Sequence, residues 1–188
     1  MVDPQYINDA DLIREFKQGD ESAFDALFDR YRDSVYSLAY RTLGSAGAED
    51  TAQDVFVQVY ESLHRFRGDA AFKTWLFRLT LNVCRDHIRR RSKQHIINDF
   101  PPGSVSNDFS CDGGAASFEM RADMESALLD LPEDDRSLLE LHYVQGFTCR
   151  EISEMLQCND GTIRTRIYRA ITRLRRRLLP VPEEVDRL

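Results

Sequence analysis

The sequence predicts an all-α chain of two small helical domains joined by a flexible linker. Three observations carry this. Apolar residues recur at spacings of three and four from Asp9 to about Arg91 and again from Phe118 to Leu178, the period of helices that bury one face. Between them, Ser92 to Ser117 holds Pro101-Pro102-Gly103 and a run of Ser, Asn, Asp and Gly, which is aperiodic, polar and too long for a loop inside a compact domain. Near the C-terminus a short capped helix, a polar turn and a basic amphipathic helix follow one another as a helix-turn-helix does. The expected division is a first domain over residues 9–93, a linker over 94–119 and a second domain over 120–179.

A chain of 188 residues, 42% hydrophobic and 10% aromatic, can bury real cores. The N-terminus has no apolar signal core, and no segment approaches the ~20 apolar residues that span a bilayer. A cytoplasmic location without membrane insertion is expected. No Gly-rich phosphate loop, paired metal-ligand motif or nucleophile elbow is present, so neither an enzyme nor a metal or cofactor is expected. Cys84, Cys111, Cys149 and Cys158 form no C-x-x-C pair and read as free thiols. Cys149 and Cys158 flank one short helix, which leaves a redox role for them as the minor reading.

The net charge of −7 conceals a block pattern. Residues 1–62 carry 5 basic against 13 acidic residues, 63–97 carry 9 against 2, 98–160 carry 3 against 14, and 161–179 carry 7 against none. Two basic blocks set between acidic ones argue for two separate polyanion contacts, not a diffuse basic coat.

In chain order, Leu12, Ile13 and Phe16 make one short helical face, and Gly19 breaks it from a second. That second face runs through Ala23, Phe24, Leu27, Phe28, Tyr31, Val35, Leu38 and Ala39, with Gly44, Ser45, Ala46 and Gly47 expected to end its helix. A third helix buries Ala52, Val55, Phe56, Val59, Tyr60 and Leu63. Its other face carries Asp50, Gln53, Asp54, Val57 and Gln58, which alone reads as an ordinary solvated side. Next, a glycine-containing loop from Arg67 to Ala71 enters an aromatic-rich helix that ends in Arg89, Arg90 and Arg91. Rings interleaved with Lys73, Arg78 and Arg85 suit single-stranded nucleic acid, whose bases stack while cations track phosphates. Most of Phe72, Trp75, Leu76 and Leu79 is expected to be core, so the functional weight falls on the loop and the cationic face.

Beyond the linker, Met124, Ala127, Leu128 and Leu131 point one way. Pro132 fits the first turn of the next helix, with Glu133, Asp134 and Asp135 against its positive end. Leu138, Leu139, Leu141, His142 and Val144 carry that helix to a left-handed stop at Gly146. Thr148 and Glu151 make a capping box for a helix from Cys149 to Leu156. Asn159 or Asp160 then caps the last helix, whose apolar stripe is Ile163, Ile167, Ala170, Ile171, Leu174 and Leu178. Seven arginines take its remaining face, with no acid in the run to compensate them.

Three strings together, AEDTAQDVFVQVY at 48–60, FRGDAAFKTWLFRLTLNVCRDHIRRR at 66–91 and LPEDDRSLLELHYVQGFTCREISEMLQCNDGTIRTRIYRAITRLRRRL at 131–178, resemble a bacterial sigma factor of the extracytoplasmic-function group, in the sigma-70 family. The resemblance spans nearly the whole chain. It implies a sigma region 2 helical bundle over 9–93 and a sigma region 4 helix-turn-helix over 120–179. It also implies a function: a transcription initiation factor that binds core RNA polymerase, recognises a −35 duplex and melts a −10 element. The implied polymerase contacts are the β′ coiled coil and the β flap, with Asp50, Gln53, Asp54 and Val57 at the positions that match the β′-docking helix. The −10 positions are Arg67, Gly68, Asp69, Ala70 and Ala71 in the loop, where a flipped base is captured, then Lys73, Trp75, Arg78, Asn82 and Arg85. The −35 readers match Arg164, Thr165, Tyr168 and Arg169. Family members are commonly held by an anti-sigma factor, so that partner is expected as well.

The chain departs from the family pattern at Asn159-Asp160, where a small or proline residue and an apolar one are usual. Asp160 there either repels phosphate or caps the helix, and the cap is the favoured expectation. The alternative function is a helix-turn-helix regulator that acts without polymerase. It accounts for the second basic block only.

Overall fold

The structure is a computed structural model, and it describes residues 7–95 and 115–179. The chain divides into two compact units, Met1–Ser106 and Asn107–Leu188. Among the described residues every regular element is helical.

In the first unit, α1 (Asp9–Lys17), α3 (Ser45–Leu63) and α4 (Phe72–His95) all pack on α2 (Ser22–Leu43). Asn8 caps α1 by accepting the Asp11 amide at 2.8 Å, which satisfies one of the first-turn donors that the helix itself cannot. Asp9 ties α1 to α2: Arg30 and the Tyr31 hydroxyl each donate to one of its carboxylate oxygens at 2.5 Å. The core is built from Leu12, Leu27, Val35, Leu38, Val55, Leu63, Leu76 and Phe77, all less than 3% exposed. Burying such side chains contributes roughly 1.5–3 kcal/mol each.

Of the cluster Gly44 to Gly47, only Gly44 lies outside a helix; Ser45, Ala46 and Gly47 form the first turn of α3. Gly44, at φ +77°, makes the reversal on its own while its amide donates to the Tyr40 carbonyl at 2.8 Å. Tyr60 and Phe28, expected inside, are 44% and 37% exposed. Each sits on the rim of its stripe, Tyr60 edge-on to Phe24 at 5.1 Å and Phe28 edge-on to Phe56 at 4.7 Å.

In the second unit, α5 (Ala115–Leu129), α6 (Glu133–Leu139) and α7 (Cys149–Leu156) pack around α8 (Asp160–Leu178). Helix thus reaches into both ends of the span read as a linker, through His95 and from Ala115; the rest of that span lies outside the described residues. Pro132 is the N-cap of α6, not part of its first turn, and its carbonyl accepts from Asp135 and Arg136 at 2.9 and 3.0 Å. Arg136 also donates to the Leu129 and Leu131 carbonyls, so it closes the end of α5 as α6 begins. After Leu139 the helix widens into a π turn, Glu140–Val144, where buried Gln145 donates to buried Glu140 at 3.0 Å. Val144, within that turn, is exposed, contrary to expectation, and Met124 is exposed too. Gly146 adopts φ +77°, the left-handed stop expected of it.

Candidate functional site

The first unit carries a built loop. Lys17, at the end of α1, donates to the Phe66 carbonyl at 2.5 Å, which anchors the chain just before Arg67. Gly68 turns the loop at φ +78°, a region costly for residues with a Cβ. The residues on either side of the loop join a chain of ring contacts: Tyr31 to Phe72 at 5.5 Å, Phe72 to Trp75 at 5.7 Å, and Trp75 to Phe66 at 5.2 Å. Phe72 is buried, whereas Trp75 is half-buried, so the ring cluster that includes Phe66 and Phe72 on either side of the loop leaves Trp75 partly accessible. Arg67, Gly68, Asp69, Ala70 and Ala71 are all exposed.

Along α4 the structure brings Trp75, Arg78, Asn82 and Arg85 onto one side, and the last three are exposed. Lys73 does not join them. It stands four, seven and eleven residues before Phe77, Thr80 and Cys84, all buried, so it starts on the core side of the helix and is half-buried.

Asp50, Gln53, Asp54 and Val57 share the exposed face of α3, with Val57 57% exposed. Asp54 is not isolated there, since its carboxylate meets His87 Nε2 of α4 at 3.3 Å. Two neighbouring features escaped the sequence reading. Exposed Tyr60 extends the apolar edge begun by Val57, and a cleft of about 280 Å³ opens between α2 and α3, lined by Phe28, Arg32, Tyr36, Ala52, Gln53 and Phe56. The signal available was the aromatic spacing in α2, which reads equally as core.

In the second unit, the expected capping box is formed: the Glu151 amide donates to Thr148 Oγ1 at 3.2 Å and the Thr148 amide to Glu151 Oε2 at 2.8 Å. Gln157 ends α7 in the left-handed region at φ 53°. α8 then buries Ile163, Ile167, Ala170 and Leu174, while Arg164, Thr165, Tyr168 and Arg169 share the opposite, exposed arc. Tyr168 is 71% exposed.

The cap at the start of α8 is Asn159, whose side chain accepts from the Gly161 amide at 2.7 Å. Asp160 is the first helical residue instead, and the capping role expected of it is overturned. Its Oδ2 accepts a hydrogen bond from Arg164 Nε at 3.0 Å and stands 2.8 Å from Arg164 Nη2 as an ion pair. This hydrogen bond raises the guanidinium's pKa beyond its already high value.

The arginines of α8 are also less uniform than a single solvated face. Arg166 turns back to α6, with Nε and Nη2 at 2.9 and 2.7 Å from Asp135 Oδ1. Arg177 meets Asp130 of the α5–α6 turn at 3.3 Å. Acids distant in sequence therefore compensate part of the run. The described cysteines are free thiols, Cys84 buried, Cys149 half-buried and Cys158 exposed; Cys111 lies outside the described residues. Among the described residues no group of three or more His, Cys, Asp or Glu is placed to hold a metal ion, and no helix is long and apolar enough to cross a membrane.

Two family models match the chain. A family model described as Sigma-70 region 2 matches residues 27–94, and one described as Sigma-70, region 4 matches residues 121–174. The chain is 32% identical over 186 residues to the RNA polymerase sigma-H factor of Pseudomonas aeruginosa, covering 94% of this chain and 96% of that one. It is 31% identical to the ECF RNA polymerase sigma factor SigW of Bacillus subtilis, covering 88% and 94%, and 32% identical to the ECF RNA polymerase sigma-E factor of Escherichia coli, covering 88% and 92%. Among solved structures it is similar to CnrH in complex with the cytosolic domain of CnrY, with TM-score 0.64, 26% identity and coverage of 88% and 94%. The sigma factor RpoE from Bartonella quintana, solved with the anti-sigma factor NepR, shares the fold at TM-score 0.72 and 24% identity, covering 87% of this chain and 98% of that one.

Proposed function

The chain belongs to the sigma-70 family, in its extracytoplasmic-function group, and from that membership we propose how its residues divide the work of starting transcription. As a sigma factor it binds core RNA polymerase, directs it to promoters and carries no catalytic chemistry of its own. The exposed face of α3, with Asp50, Gln53, Asp54 and Val57, docks on the polymerase β′ coiled coil, and the second unit engages the β flap. The loop Arg67–Ala71 receives a base extruded from the −10 element. Trp75, Arg78, Asn82 and Arg85 then track the opened strand, offsetting the cost of unpairing through stacking and phosphate contacts. Lys73 stands off that stripe and contributes only from the first turn of α4. In the second unit, Arg164, Thr165, Tyr168 and Arg169 read the −35 duplex from the major groove.

The observation that supports this division is the stripe on α4 where Trp75, Arg78, Asn82 and Arg85 share one side just beyond the exposed loop Arg67–Ala71. A duplex reader alone has no use for that arrangement. The regulator reading without polymerase is therefore not favoured. CnrH is bound by the cytosolic domain of another protein, and a protein inhibitor of the anti-sigma kind, acting in the cytoplasm, is proposed here too. Transcription in vitro with purified core polymerase on a genomic promoter library tests the reading. Initiation that depends on this chain is expected; strong DNA retardation by the chain alone, with no initiation, would overturn it.

A further inference from the structure

Asp160 has an electrostatic role that the cap at Asn159 leaves open. The helix keeps its cap from Asn159, so the carboxylate next to it is not needed to start α8. Instead Asp160 Oδ2 accepts a hydrogen bond from Arg164 Nε, one turn ahead at 3.0 Å, with Nη2 in ion-pair contact at 2.8 Å. Its other oxygen is buried and has no hydrogen-bond partner among the described residues, so the carboxyl group is lodged against the helix start and not free to swing into solvent. We propose that Asp160 is a specificity-determining positioning residue for −35 recognition, which fixes the Arg164 guanidinium toward a base edge and penalises contact with phosphate.

The inference rests on the proposal above that Arg164 lies in the major groove. Its physical content has two parts. A guanidinium has five N–H donors, so with Nε engaged by Asp160 its Nη donors remain for a purine edge. Holding the side chain in place beforehand removes ordering that a free arginine would undergo on binding, an effect on discrimination of roughly two- to tenfold. At the same time the carboxylate neutralises Arg164 locally and repels the DNA backbone, so Arg164 adds little to sequence-independent binding. Specificity then rises through both terms, tighter reading of one base pair and weaker hold on unrelated duplex.

The test uses the full chain with core polymerase on a promoter selected from a randomised library by the unmodified protein. Each base pair of the upstream element is substituted in turn, and competition by unrelated duplex is measured across salt concentrations. Asp160→Ala is expected to lower discrimination at one base pair by about two- to tenfold and to steepen the log–log salt dependence by about one unit. Arg164→Ala is expected to abolish discrimination at that same base pair, and adding Asp160→Ala to it should change discrimination no further. Asp160→Asn keeps an acceptor without the charge. It should retain most of the discrimination while showing the steeper salt dependence. Unchanged discrimination in Asp160→Ala, with Arg164→Ala still losing it, overturns the inference alone. Full discrimination at every base pair in Arg164→Ala overturns the placement of Arg164, and the inference with it.

Discussion

Lys17 Nζ donates to the Phe66 carbonyl at 2.5 Å, a bond between residues 49 apart in sequence that ties the last turn of α1 to the residue before the loop Arg67–Ala71. The Sigma-70 region 2 match begins at residue 27, so α1 lies outside it and yet holds the loop's entry. Lys17 is exposed, and removing a solvent-accessible bond of this kind costs the fold about 1 kcal/mol or less. Lys17→Met is therefore expected to leave thermal unfolding nearly unchanged but to slow open-complex formation on duplex promoters several-fold, with a smaller effect on pre-melted templates. Equal rates on duplex DNA would show that the loop is positioned without the Lys17 bond.

Gly68 offers a sharper test of the same loop. No atom lies within 4 Å of where a Cβ would stand, so a side chain meets no clash, but φ is +78°. The cost of Gly68→Ala is then purely conformational, about 1–2 kcal/mol. The loop is expected to relax away from this geometry, lowering initiation about tenfold while global stability falls by no more than that cost. Gly68→Asn, which tolerates the left-handed region better, should recover part of the activity. Initiation measured for both variants beside thermal unfolding decides the point.

The placement of the apolar helical faces was legible because burial follows the 3.6-residue period: Leu12, Phe16, Val35, Val59 and Ile167 are all buried as the spacing requires. The period does not say what covers the rim of a stripe, which is why Phe28 and Tyr60 were read as core. Asp160 and Arg164 stand four residues apart, and that ion pair was readable in principle. It was hidden by the equal fitness of aspartate as a cap. Contacts between Lys17 and Phe66, or Arg166 and Asp135, depend on which helices become neighbours, and local pattern carries no record of that.

Arg166 is expected to matter for folding more than for DNA. It is 34% exposed and Asp135 17%, with two donors on one carboxylate oxygen. A half-buried, doubly hydrogen-bonded pair is worth more than the 0–1 kcal/mol of a surface pair. Arg166→Ala should destabilise the second unit by about 1–3 kcal/mol, whereas exposed Arg176→Ala should be nearly neutral. A double-mutant cycle with Asp135→Ala, read by thermal unfolding, should give a coupling of about 1 kcal/mol or more. Additive losses would show that the two side chains stabilise the unit independently.

Cys84 makes the first unit sensitive to alkali. It is fully buried beside Ala39, Leu43 and Ala48, and burial pushes its thiol up from 9.0 to about 12. The unfolded chain thus loses this proton first, so the native state keeps the full contribution below about pH 9 and loses it as pH rises toward 12, at up to about 1.4 kcal/mol per pH unit. Burial raises the Tyr31 hydroxyl too, and it acts in the same direction at higher pH. Unfolding followed by helical circular dichroism should therefore show falling stability above pH 9, with a shallower slope in Cys84→Ala and a shallower one still when Tyr31→Phe is added. At pH 8 an alkylating reagent should modify exposed Cys158 in the native chain and reach Cys84 only after denaturant is added. Modification of Cys84 in the native chain, at a rate matching that of Cys158, would mean that the α2–α3–α4 core opens on the timescale of labelling.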